Sequence, residues 1–264
     1  MHVVTEYPDG IFSWIDLSST DIDAAKAFYS GLFGWEAVDV PTDMGPPYTM
    51  FKIEGKNVAG AGPMPPGMPE EVPSHWTSYV NSKDVDTAVA RITAAGGTVT
   101  MPPMDVMQEG RMAMAMAPDG SAFGIWQARN HIGAQLVNMP NTLVWNELQT
   151  RDIEGTKAFF AAVFDWTNET DPNGYVMYRK DGRMHAGSMK IDENWGDVPN
   201  NWSVYFLVED VGAMVAKAQE LGGNVIMPPT PAGEMGTFAV IADPSGGVFT
   251  IMKFNGPIDP PPGA

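Results

Sequence analysis

The chain is written twice. Residues 21–35 read DIDAAKAFYSGLFGW and residues 152–166 read DIEGTKAFFAAVFDW, with seven of the fifteen positions identical. The segments leading into them also match, WIDLSSTDID at 14–23 against WNELQTRDIE at 145–154. Further on, DVDTAVARITAAGGTVTMPPMD (84–105) pairs with DVGAMVAKAQELGGNVIMPPTP (210–231), and APDGSAFGIWQ (117–127) pairs with DPSGGVFTIMK (243–253). Matching runs in the same order constrain the architecture more than any one motif does. The chain therefore reads as a duplicated domain of about 125–130 residues per copy, an ordinary domain size.

Inside each copy a shorter grammar recurs. The alternation in WIDLS predicts a strand, and Thr20 with Asp23 three residues on predicts a helix N-cap there. Ile22, Ala25, Phe28/Tyr29 and Leu32/Phe33 then follow at helical spacing. After Gly34 come three extended runs, WEAVDV, YTMFKI and NVAGAGPM. The second half repeats the order: a strand HWTSYV, a helix over 84–95 closed by Gly96-Gly97, then TVTMPP, RMAMAMA and SAFGIWQ as strands. The grammar is β-α-β-β-β, four times over. It places the first copy at 1–128, with modules at about 11–64 and 75–127, and a linker at 129–142. The second copy follows at 143–254, with modules at about 143–189 and 202–253, and 255–264 reads as a flexible, proline-rich tail.

Composition narrows the function classes. Fifteen Lys plus Arg stand against thirty-two Asp plus Glu, a formal net charge of −17. Clustered basic residues of the kind that bind phosphate backbones are missing, so nucleic acid is not an expected partner. No apolar run approaches the roughly 20 residues needed to span a bilayer, and no basic-then-apolar leader opens the chain, so a cytoplasmic, non-membrane protein is expected. The absence of cysteine removes thiol nucleophiles, disulfides and thiolate metal sites. No glycine-rich phosphate loop, G-x-S-x-G elbow or H-E-x-x-H is present either.

The opening strand, the helix motif D-[IL]-x-x-[AS]-x-x-F-[YF] and a D-P-x-G turn before the last strand together resemble the vicinal oxygen chelate superfamily. That group includes glyoxalase I, extradiol dioxygenases and bleomycin-resistance proteins. The W-x-[DE]-L opening, the FGW after the first helix and the MPP after Gly-Gly are similar to tandem glyoxalase-like proteins of actinobacteria, including hydroxylase-labelled forms and a mycobacterial culture-filtrate antigen type. The resemblance covers about residues 10–254. It implies an α+β fold of two tandem domains, each with two modules forming an open, curled eight-stranded mixed sheet around a pocket.

The resemblance also implies four metal-ligand positions on strands. Transferred residue by residue, they fall on Trp14 and Trp145, on Thr77 and Ser203, on Gly124 and Thr250, and, by a looser alignment, near Ala61 and Ser188. None is a carboxylate or imidazole, the donors a divalent cation needs. No metal or other cofactor is therefore expected.

What remains for the pocket follows from strand alternation. If Trp14 points inward so does Asp16, and Trp145 is followed likewise by Glu147. Either carboxylate could be desolvated and act as acid or base, or could be a structural ion pair. Tyr79 and Tyr205, with Trp126, add aromatic surface with polar handles, which suits a pocket or a core equally. His75 is in phase with Thr77 and Tyr79; His185 could approach Glu147; both also read as solvated or packing residues. His131 reads as a linker-docking residue. Arg111 is placed at the start of a pocket-side strand, where it could hold a carboxylate, or else on the surface. Met112, Met114 and Met116 alternate with alanines and are expected to pack against a helix.

The reading is a glyoxalase-like binder of a small aromatic or carbonyl-bearing molecule, acting as monomer or homodimer. Its candidate site residues are Asp16 and Glu147 as catalytic groups. Trp14, His75, Thr77, Tyr79, Arg111, Trp126, Trp145, His185, Ser203, Tyr205 and Thr250 are its ligand contacts. Two alternatives stand beside it: an enzyme of the same superfamily using a carboxylate base or an atypical metal site, and a secreted, non-catalytic interaction protein.

Overall fold

A computed structural model describes residues 2–43, 45–69 and 71–262. The first module comprises β1 (Phe12–Ser19), α1 (Ile22–Phe33), β2 (Glu36–Val40), β3 (Tyr48–Ile53) and β4 (Lys56–Pro63). The second comprises β5 (His75–Asn81), α2 (Val85–Ala94), β6 (Thr98–Val106), β7 (Gly110–Met116) and β8 (Ala122–Ala128). The second copy repeats both as β9 (Leu143–Thr150), α3 (Ile153–Phe164), β10 (Thr167–Thr170), β11 (Val176–Lys180) and β12 (Arg183–Lys190), then β13 (Asn201–Leu207), α4 (Val211–Glu220), β14 (Asn224–Pro231), β15 (Gly236–Ala242) and β16 (Val248–Phe254).

Each copy makes one eight-stranded sheet, in the order β2-β3-β4-β1-β5-β8-β7-β6 and β10-β11-β12-β9-β13-β16-β15-β14. The two modules of a copy join antiparallel at β1/β5 or β9/β13, while β1/β4 and β5/β8 run parallel. Both sheets are therefore mixed, and their outer strands do not pair to close a ring. The expected α+β architecture of two tandem domains is the one observed.

The helices begin on aspartates. Asp21, Asp84, Asp152 and Asp210 each accept from the backbone N–H three residues on. The expected N-cap at Thr20 is corrected by one residue. A carboxylate accepts that bond more strongly than a hydroxyl, and Thr20 instead meets Ser74, with Oγ1···Oγ at 3.2 Å. α1 and α3 end on left-handed residues: Gly34 at φ 74° in one copy and Asp165 at φ 59° in the other.

The copies interlock through these helices. α1 buries Phe28, Tyr29 and Phe33 against its own sheet and against Phe206 and Phe249 of the second copy. α3 answers with Phe159, Phe160 and Phe164 against Phe123 of the first copy. Each buried aromatic of this kind is worth about 1.5–3 kcal/mol over its exposed state, so neither copy completes its core alone. Ion pairing follows the same route, as Arg91 of α2 reaches Asp165 at 2.6 Å. On β7 the buried Ala113 and Ala115 face this helical core. Met112 and Met114 turn the other way, into the first barrel, which corrects the expectation that the methionines pack against a helix. The small alanines leave room for the phenylalanines of α3, and the methionines fill the concave side.

Candidate ligand-binding site

On the concave face of each sheet the register lines up the inward residues. Trp14 lies opposite Tyr79 and Asp16 opposite Thr77; Trp145 lies opposite Tyr205 and Glu147 opposite Ser203. The polar groups then converge. The Tyr48 and Tyr79 hydroxyls donate to Asp16 Oδ2 at 3.1 and 3.2 Å, and the Trp14 indole N–H donates to Tyr48 at 3.1 Å. The second copy reproduces this. Tyr175 and Tyr205 donate to Glu147 Oε2 and Oε1 at 3.0 and 2.6 Å, and the Trp145 indole donates to Tyr175 at 2.9 Å.

Two glycines make room for this arrangement. A Cβ at Gly60 would collide with the Tyr48 hydroxyl, and one at Gly187 with that of Tyr175. Gly60 pairs with Asp16, and Gly187 with Glu147. These glycines, rather than Ala61 and Ser188, are the inward positions of β4 and β12.

Burial shapes the electrostatics. Desolvation pushes the half-buried Asp16 carboxyl up to about 6, partly opposed by the two tyrosine bonds. Glu147 is raised for the same reason, against the bonds from Tyr205 and Tyr175. All four phenols are held well above their ordinary range by burial and by the adjacent carboxylate. They remain protonated donors across the physiological range, and each carboxylate is a fixed acceptor in an aromatic setting.

The two barrels differ in what stands beside that frame. In the second, a cavity of about 440 Å³ opens, walled by Trp145, Tyr205, Phe238, Met252 and Phe254, with Glu147 among its lining. Residues 257–259 and Pro262 lie over it. The Asn138 amide donates to Asp259 O at 2.9 Å and Arg183 to Pro260 O at 2.6 Å, so the tail expected to be flexible crosses the pocket. In the first barrel the linker enters. His131, 7% exposed, stands edge-on to Trp14 with ring centroids 4.4 Å apart and 5.6 Å from Trp126. Its carbonyl accepts from the Trp126 indole at 2.8 Å.

The expected site residues thus divide. Trp14, Asp16, Thr77 and Tyr79 share one face, with Trp126 beside them, but His131 stands among them. Trp145, Glu147, His185 and Tyr205 line the open cavity. Ser203 and Thr250 meet behind it, with their hydroxyls 3.5 Å apart. His75 sits at the outer end of β5, its Nδ1 3.1 Å from Pro73 O. His185 does not reach Glu147. It wedges against Trp166 and Phe12 at 4.5 and 6.1 Å, its ring nitrogens are buried without a partner, and desolvation pulls it down to about 3.

Arg111 is corrected outright. It shares the helix-facing side of β7 with Ala113 and forms ion pairs with Asp86 of α2 at 2.9 Å and with Asp105 at 3.1 Å. Tyr48 and Tyr175 were missed by the sequence reading. Their signal was the repeat itself, since YTMFKI and YVMYRK occupy matching places.

Chains of this fold can carry a divalent metal, and the donor set here does not suit one. Among the described residues no three of His, Cys, Asp or Glu converge. The inward positions of β1, β4, β5 and β8 nearest the frame offer indole, glycine, hydroxyl and glycine. Asp16 and Glu147 each already accept from two phenols, and one carboxylate with no second charged or imidazole donor beside it among the described residues is too small a donor set for a divalent ion.

Two open, mixed sheets of paired β-α-β-β-β modules, each cupping an inward carboxylate, define the class. The chain belongs to the glyoxalase/bleomycin resistance protein/dioxygenase superfamily, whose family model matches it twice, at residues 11–125 and 140–251. It is 42% identical over 253 residues to CFP32 of Mycobacterium tuberculosis, named as a candidate glyoxylase, with 94% of this chain and 97% of that one aligned. It is 35% identical to the anthracycline biosynthesis protein DauV of Streptomyces sp. (strain C5), over 95% of each. Among solved structures, the Mn(II)-bound glyoxalase of Novosphingobium aromaticivorans superposes with a TM-score of 0.65 at 19% identity, covering 95% of this chain and 84% of that one. The 2,3-dioxygenase LapB of Pseudomonas sp. KL28 gives 0.66 at 16%, covering 99% and 96%. At those identities the likeness is one of fold. Among the described residues no helix is long and apolar enough to cross a membrane.

Proposed function

We propose that the second barrel binds a small, flat, largely apolar molecule without a metal. The observation that carries this reading is the cavity of about 440 Å³ with aromatic and methionine walls and the tyrosine-held Glu147 carboxyl in its lining. Its size lies within the range of ordinary ligand pockets, which are mostly apolar with a few fixed polar groups. Ring faces supply the burial, methionines adapt to outline, and Glu147 accepts from a hydroxyl or N–H of the ligand. Two relatives are named for anthracycline biosynthesis, and a fused-ring compound is the shape of molecule such walls admit.

The test is titration of the protein with planar aromatic hydroxy- and carbonyl-compounds, following tryptophan fluorescence, after metal analysis of the purified protein. Saturable binding at one site per chain with no stoichiometric metal is expected. Stoichiometric metal, or no saturable response across the series, overturns the reading.

The raised Glu147 carboxyl favours a second reading, proton transfer on the bound molecule. In that case Glu147→Gln abolishes turnover of a bound compound while retaining its binding. Unchanged turnover in the variant removes this reading and leaves the first.

A further inference from the structure

After the last strand of each copy the chain takes the same first step. Arg129 N–H donates to Glu109 O at 3.0 Å, and Asn255 N–H donates to Met235 O at 2.9 Å, the same bond 126 residues later. Two residues further on stand His131, buried beside the inward Trp14 of the first barrel, and Pro257, an exposed residue at the cavity of the second. His131 contacts Trp14 and Trp126, whereas Pro257, Trp145 and Met252 all line the cavity of the second barrel. The neighbours correspond as well: Met112 pairs with Trp126 on β7/β8, and Phe238 with Met252 on β15/β16. An imidazole present in one copy is thus replaced by an open volume in the other, within a matching frame of indole, two phenols and a carboxyl.

We propose that His131 is an internal ligand: its ring marks in the first barrel the place where the second barrel takes the ring of an external planar heteroaromatic molecule, edge-on to Trp145. The inference rests on the binding reading above and specifies it, giving the ligand's ring class and its place in the cavity. The physical case is one of packing. A planar ring edge-on to an indole at centroid distances near 4.5–5.5 Å gains a favourable quadrupole contact beyond its area burial. His131 makes that contact, and its Nε2 is buried without a protein partner, so the ring is held there by shape more than by hydrogen bonding. A proline at 257 cannot project a ring so far into the barrel, and the space stays open.

The test exchanges the two residues in the full-length chain, with benzimidazole as the probe and binding stoichiometry measured by equilibrium dialysis. The parent is expected to bind one equivalent. His131→Ala empties the first barrel and should bind two, the new site also accepting free imidazole, as apolar cavities made by truncation accept molecules of the deleted shape. Pro257→His should fill the second barrel and weaken benzimidazole at least tenfold. Pro257 lies in the tail, outside both cores, so this variant decides the matter even if His131→Ala fails to fold. A parent that binds one equivalent together with a Pro257→His chain that binds equally well overturns the inference while leaving the pocket intact. A folded His131→Ala chain that still binds only one equivalent overturns it too. A parent that binds none removes the binding reading for this ring class, and the inference with it.

Discussion

The two barrels share a frame and differ in what fills it. Trp14, Tyr48, Tyr79 and Asp16 in the first repeat as Trp145, Tyr175, Tyr205 and Glu147 in the second, bond for bond. The frame persists where His131 fills the space beside it, so it has a structural role of its own: two phenols and a carboxyl tie β1, β3 and β5 together across the sheet. A carboxyl in a barrel of this fold is therefore no marker of a site by itself. What differs is the segment that follows the last strand, which brings an imidazole into one barrel and lays a proline-rich strap over the cavity of the other.

The sharpest way to break this comparison is to truncate the paired tryptophans. Trp14→Ala removes a buried ring from a filled barrel and should cost about 3–5 kcal/mol of stability while leaving ligand affinity within about twofold. Trp145→Ala removes a cavity wall and should weaken ligand binding about 100-fold, or about 3 kcal/mol. Denaturant unfolding and fluorescence titration on both variants check this. Affinity lost equally in both would mean that the barrels are not divided as described.

Next in size is the proton held by Asp16. Its carboxyl is raised from 3.8 to about 6 in the folded protein. The folded chain therefore binds this proton more tightly than the unfolded chain. The associated stability is complete below about pH 4 and lost as pH rises through about 6. The shift alone corresponds to about 3 kcal/mol, and about 2 kcal/mol is expected for a carboxyl that is only half-buried. Asp16→Asn should exceed the parent's stability by that amount at pH 8 and converge on it at pH 4. His131, pulled down to about 4 by burial, works in the opposite sense, losing stability as pH falls from its ordinary 6.5. The difference between variant and parent across pH isolates the carboxyl; a difference that does not change with pH would show that Asp16 titrates normally.

Much of this was legible in the residues. The repeat gave the duplication, and the alternation in WIDLS and WNELQ put Asp16 and Glu147 on the same face as the tryptophans. Tyr48 and Tyr175 escaped because each reaches its carboxyl across a glycine of a neighbouring strand, a relation that appears only once strand order is known. Arg111 was misplaced by one step of strand phase, and with it the methionines of β7, because a run of alternating Met and Ala does not say which of the two faces the core. The correspondence of His131 with Pro257 had almost no sequence signal, since at that offset the linker and the tail share only Ile132 and Ile258, and the matching anchoring bonds appear only in the fold.

The smaller effects compare the helical cores. In one, the Trp76 indole donates to the Tyr29 hydroxyl at 3.0 Å, and Tyr29 donates to Asp243 Oδ2 at 2.9 Å. In the other, Phe160, Ala117 and Trp202 hold these places, and the Trp202 N–H is buried without a partner. Tyr29→Phe strands both the indole and one carboxylate oxygen, and should cost about 1.5 kcal/mol in denaturant unfolding.

The reciprocal change tests whether the two places are truly equivalent. Phe160→Tyr offers Trp202 an acceptor but buries a hydroxyl proton that has no carboxylate to meet, so alone it should alter stability by less than about 0.5 kcal/mol. Ala117→Asp alone buries a carboxyl with no phenol beside it and destabilises. Together they rebuild the triad, and a double-mutant cycle should return a favourable coupling of about 1 kcal/mol. A coupling of zero would mean that the backbone of the second core has relaxed around Phe160, and that the correspondence of the two copies ends at the barrels.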